Sequence, residues 1–211
     1  MAETKIKICG LSRRQDIEYV NEALPDFAGF VFAPSRRQVT PEAAGILKSS
    51  LDDRIRAVGV FVNHDMDFIK NLCCGGIIDY IQLHGDETEE YVLRLKERLS
   101  TAGCMKPVIK ALRVKDSSSL ETASRFDSDF LLLDTYSPQE YGGSGRAFDW
   151  KLIDAIGKPF FLAGGINLEN AAAAVKTVQP FGLDVSSGVE TDGIKDAEKI
   201  KKIVNLLRSV K

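Results

Sequence analysis

Two side chains in this 211-residue chain stand where proton-transfer chemistry would want them. Cys9 ends the run Lys5-Ile6-Lys7-Ile8-Cys9, and Asp134 ends the apolar run Phe130-Leu131-Leu132-Leu133. One base and one acid facing each other across a shared mouth are the minimum for moving a proton between two atoms of one substrate. A carboxyl closing an apolar strand is costly to bury unless it is hydrogen-bonded or used. A cysteine at such a place is, taken alone, most often small-residue packing. Two glycine- or serine-rich turns, Gly164-Gly165 and Ser186-Ser187-Gly188, add backbone N–H groups that can approach an anion closely. The Arg36-Arg37 pair, His84, Arg113 and Asp184 complete a coherent polar set. That set lacks the several histidines and carboxylates of a hydrolytic metal site.

These residues can act together only if the elements carrying them converge. Eight apolar runs recur: 5–9, 27–32, 55–62, 77–84, 107–112, 129–134, 159–164 and 181–187. Most are nearly continuous in Val, Ile, Leu or Phe, the pattern of parallel strands covered on their outer face. Helix signals lie between them. Thr40-Pro41-Glu42 offers an N-cap, a proline at the first helical position and an acid in the first turn. Asn63, Asn167 and Asp196 are each predicted to cap the segment that follows. Ile200, Ile203, Val204 and Leu207 form one apolar stripe in the last helix. Eight strands alternating with eight helices close most naturally into a single (β/α)8 TIM barrel over residues 1–211. In that fold the strands' C-terminal ends form the active site, and the loops after strands 7 and 8 commonly hold phosphate. The loops after strands 2 and 6, roughly 33–40 and 135–148, are the extended ones. A doubly wound dinucleotide fold would need a G-x-G-x-x-G turn after strand 1, and only Gly10 stands there.

Composition narrows the function classes. With 28 Lys+Arg against 30 Asp+Glu the net charge is −2, so there is no electrostatic footprint for nucleic acid or an anionic membrane. No apolar run approaches the ~20 residues of a membrane span, and the N-terminus lacks a signal-peptide core, which predicts a cytoplasmic protein. Four cysteines are too sparse for a disulfide scaffold, so Cys73 and Cys74 are expected as reduced thiols at a helix end. Two histidines exclude a multi-histidine metal centre.

The blocks KICG (7–10), GFVF (29–32), VGVFVN (58–63), QLHGDE (82–87), IKALRV (109–114), LLLD (131–134), YGGSGRAFDW (141–150), AGGIN (163–167) and DVSSGVE (184–190) resemble phosphoribosylanthranilate isomerase of tryptophan biosynthesis. The resemblance spans essentially the whole chain. It implies a cofactor-independent Amadori rearrangement of N-(5-phosphoribosyl)anthranilate to 1-(2-carboxyphenylamino)-1-deoxyribulose 5-phosphate. It makes Cys9 the general base and Asp134 the general acid, with His84 and Asp184 contacting substrate and no metal. Cys9 would then need surroundings that favour its thiolate, and Asp134 would need desolvation to stay protonated. The family's arginine for the anthranilate carboxylate falls on Arg37 when counted back from Thr40-Pro41-Glu42. The loop Ala33-Pro34-Ser35-Arg36-Arg37-Gln38 is about one residue shorter than usual, so Arg36 competes for the role. The implied partner is a phosphorylated aminosugar, and the implied assembly is a monomer or homodimer. The related histidine-pathway isomerase, which uses aspartates at strands 1 and 5, fits less well because strand 1 ends in Cys9. A silent sugar-phosphate-binding barrel would have no chemical reason to hold both Cys9 and Asp134.

Overall fold

The computed structural model describes residues 3–114, 125–134 and 157–210. Eight parallel strands close in the order β1 to β8: Lys5–Cys9, Phe27–Val31, Arg56–Phe61, Tyr80–Leu83, Val108–Arg113, Phe130–Asp134, Phe160–Ala163 and Gly182–Val185. Seven of the eight predicted runs contain their strand, β1 matching its run residue for residue; β5 is displaced by one residue, ending at Arg113 beyond the run 107–112. Six α-helices are described: α1 (Arg14–Ala23), α2 (Pro41–Ser49), α3 (Met66–Cys74), α4 (Glu89–Thr101), α5 (Ala171–Val178) and α6 (Ala197–Ser209). The segments after β5 and β6, including the long loop 135–148 and the block 141–150, fall largely outside the described residues.

The period of two along each strand sorts side chains into two apolar layers. Ile6, Ile8, Phe30, Phe61, Leu131, Leu133, Leu183 and Val185 face the helices, where α6 contributes Ile200, Ile203, Val204 and Leu207. Phe27, Val58, Ile109, Leu132 and Phe161 fill the barrel interior. Tyr80, Phe130 and Phe181 pack beside them, with edge-on and tilted ring contacts such as Phe130–Phe181 at 4.8 Å. The mouth residues keep the inward parity of this plug. Lys7 and Cys9 lie on one face of β1; Asp134 follows Leu132 at a spacing of two, and His84 follows Tyr80 and Gln82 in the same way.

Two of the predicted caps form as expected. The Thr40 side chain accepts from the Ala43 N–H, and Asp196 accepts from that of Lys199. The other two sit elsewhere. Asp65 caps α3, accepting from Asp67 and Phe68, while Asn63 adopts φ 53° and takes its side chain to the Asp86 N–H. Asn167 accepts from the N–H groups of Glu169 and Asn170, closing a turn that precedes α5.

The cysteines also depart from expectation. Cys74, at the end of α3, is bonded to Cys104 just before β5, across a separation of 30 residues, whereas Cys73 is a free buried thiol. The chain brings two surface cysteines of neighbouring β/α units together, a proximity that sequence spacing does not reveal. Closing a loop of this length restricts the unfolded chain by about 3–4 kcal/mol. Reductant, or Cys104→Ser, should therefore lower the melting temperature by several degrees in a thermal scan. An unchanged melt would mean that the bridge contributes nothing.

Candidate active site

The strand ends gather the predicted residues into one mouth. Cys9 is 8% exposed, and its sulfur packs where β2 has Gly29; a Cβ there would lie 2.9 Å from the sulfur. Behind it on β1 the Lys7 side chain is wholly buried. Its ammonium donates to both oxygens of Asp184, at 2.9 and 3.0 Å, across the β1–β8 register that pairs the two residues directly. Burial alone would pull the lysine towards neutrality, but Asp184 and the Cys9 sulfur outweigh it, so Lys7 stays protonated.

Cys9 experiences the opposite balance. Burial pushes its thiol up, Lys7 and Lys195 pull it down, and Asp184 pushes it up again, with a net rise. The expected surroundings that favour a thiolate are thus only partly present. Cys73, buried without such a network, is pushed up to about 12.

Asp134 lies on the β5–β7 side, paired in register with Arg113 and Ala163. His84 Nε2 is 3.3 Å from its Oδ2, and Gln82 Nε2 is 2.8 Å from His84 Nδ1. The buried Gln82 therefore selects the His84 tautomer through the end of its amide that meets Nδ1. A second buried ion pair holds the turn carrying His84. Lys110 Nζ reaches Glu87 at 2.7 Å and the Gly85 carbonyl at 2.8 Å, while Glu87 accepts from the N–H groups of Asn63 and Gly85.

Glu190 is the hub of the remaining wall. Its carboxylate accepts from Arg37 Nε and Nη2 (2.7 and 2.8 Å), Arg36 Nη2 (2.7 Å) and Lys195 Nζ (2.8 Å). The two arginines differ in setting. The Arg37 side chain is 23% exposed and lies flat against Gly10, where any Cβ would collide with it; Arg36 is 57% exposed and turns outward. Lys195 also donates to the Ser186 carbonyl, and the Ser186 hydroxyl to the Cys9 carbonyl. The loops after β7 and β8 are packed against each other, because Gly188 presses on the Ile166 carbonyl where no Cβ fits. Gly164 and Gly165 have φ of 93° and 66°, and the space in front of Gly165 is open. The two turns predicted to hold an anion are therefore neighbours.

Sequence reasoning placed Cys9, Asp134, Arg37, His84, Asp184 and the two turns, and the structure brings all of them to one end of the barrel. It missed Lys7, Gln82, Glu190 and Lys195. Inward parity from Cys9 and His84 points to Lys7 and Gln82. Nothing local marks Glu190 or Lys195.

Residues 6–206 match the family model of N-(5'phosphoribosyl)anthranilate (PRA) isomerase. The chain belongs to this family. It is 52% identical to the N-(5'-phosphoribosyl)anthranilate isomerase of Endomicrobium trichonymphae over 206 residues, covering 98% of this chain and 99% of that one. It is 50% identical to that of Acetivibrio thermocellus over 209 residues, covering 97% and 96%. The crystal structure of phosphoribosyl anthranilate isomerase from Thermotoga maritima superposes with a TM-score of 0.83 at 37% identity, covering 97% of this chain and 98% of that one. A phosphoribosyl anthranilate isomerase in complex with reduced 1-(o-carboxyphenylamino)-1-deoxyribulose 5-phosphate superposes at 0.80 with 33% identity, covering 97% and 98%. Among the described residues no group of three or more His, Cys, Asp or Glu could hold a metal, and no helix is long and apolar enough to cross a membrane.

The Glu190 hub carries a pH signature. Burial alone would raise its pKa, but hydrogen bonds from Arg37 and Lys195 hold it at about 2, below its ordinary 4.5. A carboxylate depressed on folding stabilises the protein fully above 4.5 and loses that contribution as pH falls towards about 2. The melting temperature of the native protein should exceed that of Glu190→Gln at neutral pH, with the gap closing over this acid window. A gap independent of pH would mean that Glu190 acts through packing alone.

Proposed function

We propose that this barrel isomerises N-(5-phosphoribosyl)anthranilate to 1-(2-carboxyphenylamino)-1-deoxyribulose 5-phosphate, with Cys9 as general base and Asp134 as general acid. The observation carrying the reading is that a thiol and a carboxyl share the inward face of one barrel mouth, beside two adjoining glycine- and serine-rich turns. Asp134 gives its proton to the furanose ring oxygen as the C1–O bond breaks and the nitrogen lone pair forms an iminium. The Cys9 thiolate then removes the C2 proton. The C–H electron pair becomes the C1=C2 bond, the iminium pair returns to nitrogen, and the enolamine tautomerises to the ketone. Both proton transfers are made by side chains, so the scheme uses no cofactor.

The acid role selects one His84 tautomer. With the Gln82 oxygen on Nδ1, the ring proton sits there, and Nε2 can accept from a protonated Asp134. Gln82 Oε1 is buried without a partner among the described residues, and turning the amide over gives it the imidazole N–H in place of the contact made by Nε2. Gly164-Gly165 and Ser186-Ser187-Gly188 offer backbone donors to the phosphate, and Asp184, whose carboxylate also holds Lys7, contacts the substrate in this reading. Arg37 is favoured over Arg36 for the anthranilate carboxylate by its place against Gly10 beside Cys9. Glu190 takes the Nε/Nη2 edge, leaving Nη1 for the ligand. The reading places the protein in the cytoplasm, where Cys74 and Cys104 would be exposed to reducing thiols.

Cys9→Ser should nearly abolish kcat while a reduced product analogue still binds, because a serine hydroxyl is a far weaker base. Asp134→Asn should lose kcat likewise, since an amide delivers no proton. Near-native kcat in either variant removes that residue from the mechanism. Arg37→Ala should weaken binding of the analogue by roughly ten- to a hundredfold, the loss of a charge-assisted hydrogen bond. Arg36→Ala should change it by no more than about fivefold. A larger loss at Arg36 would move the carboxylate site by one residue.

A further inference from the structure

The reaction needs a thiolate at Cys9, yet the surrounding apolar barrel disfavours one. Lys7 sits two residues before Cys9 on the same inward face of β1, with its side chain wholly buried. An ammonium so placed serves no solvent contact. Its hydrogen bonds go to Asp184, directly across the closing seam of the barrel. The remaining charged groups that face the sulfur are Lys195 and Arg37 at the rim, and both are bound to Glu190. Those rim cations are each hydrogen-bonded to the Glu190 carboxylate. Lys7 is the cation aligned with Cys9 from below.

We propose that the Lys7–Asp184 pair is the device that sets how readily Cys9 ionises, with Lys7 as the positioning residue that stabilises the thiolate and Asp184 as the counter-charge that limits it. The proposal rests on the reading of Cys9 as the base. It assigns the two partners opposite effects on the same sulfur, which a purely structural ion pair would not have. Removing the Lys7 cation leaves the sulfur beside an unbalanced carboxylate, so the thiolate becomes harder to form. Removing the Asp184 charge frees the full field of Lys7 for the sulfur, so the thiolate becomes easier to form. Burial supports this account, since the effective dielectric around both groups is low and a neighbouring charge acts strongly.

The test is alkylation of the intact protein by iodoacetamide, a neutral probe whose rate follows the thiolate fraction. Cys9→Ser supplies the background from Cys73, whose thiol burial pushes up to about 12. At a fixed pH below the midpoint, Lys7→Met should slow alkylation of Cys9 about tenfold or more, and Asp184→Asn should speed it about tenfold, each corresponding to about one pH unit. The double variant Lys7→Met/Asp184→Asn, which leaves no unpaired buried charge, should fall between the two and guards against misfolding of the singles. Rates that fall in both single variants, or that do not move, overturn the proposal. In turnover, the kcat deficit of Lys7→Met should be recovered by raising the pH, with log kcat climbing beyond the point where the native protein levels off. If alkylation follows the predicted order while Cys9→Ser retains near-native kcat, the coupling stands and the base assignment falls.

Discussion

The mouth of this barrel depends on an ion pair at its closing seam. β1 and β8 meet with Lys7 opposite Asp184, and their charged groups lie inside a barrel otherwise filled by Phe27, Val58, Ile109, Leu132 and Phe161. Desolvating two charges there is expensive, and well-packed apolar side chains would close the seam at no greater cost. The pair therefore makes more sense as an electrical element than as a stabilising one. It places positive charge beneath the Cys9 sulfur, and it does so on a rigid strand pair instead of a loop. Residues on strands hold their geometry more closely than residues on loops.

Around this centre the loops are coupled by a second set of charges. Glu190 ties the loop after β2, through Arg36 and Arg37, to Lys195 and the start of α6. Lys195 in turn reaches Ser186, whose hydroxyl binds the Cys9 carbonyl. A chain of four hydrogen bonds, from Arg37 through Glu190, Lys195 and Ser186, thus links the loop after β2 to the backbone of Cys9. Three cations share one carboxylate in this cluster, so the wall keeps a positive surplus that suits an anionic ligand. On the neighbouring side Gly188 allows the loops after β7 and β8 to lie against each other, which confines the two turns proposed to bind phosphate to one place. The opposite wall is organised by Lys110 and Glu87, which hold the turn that carries His84 towards Asp134.

Much of this was legible in the chain itself. Near-continuous apolar runs marked all eight strands because both faces of each strand are covered, and a polar residue closing such a run marked Cys9 and Asp134. Thr40 and Asp196 were readable as caps because each precedes its helix directly. Asn63 and Asn167 were misplaced for a common reason: each is drawn into a turn by its own hydrogen bonds, and the helix begins later. Lys7 was hidden because a lysine in a short strand reads as an exposed edge position, and its partner is 177 residues away. Glu190 and Lys195 belong to a small hairpin, Glu190–Thr191 with Ile194–Lys195, that carries no apolar signal. The Cys74–Cys104 bridge joins two adjacent β/α units and leaves no trace in spacing. Local rules found the strands and their ends; contacts made by closing the barrel supplied the electrostatics.

In the proposed reaction one mouth holds all parts of the substrate at once, with the reacting carbons between a thiol and a carboxyl. A crystal structure of this protein with reduced 1-(o-carboxyphenylamino)-1-deoxyribulose 5-phosphate bound tests it most directly. Phosphate is expected between the Gly165 and Ser187 turns, the carboxylate on Arg37, and C1 and C2 between Cys9 Sγ and Asp134. Phosphate bound elsewhere, or a sugar chain out of reach of Cys9, would contradict it.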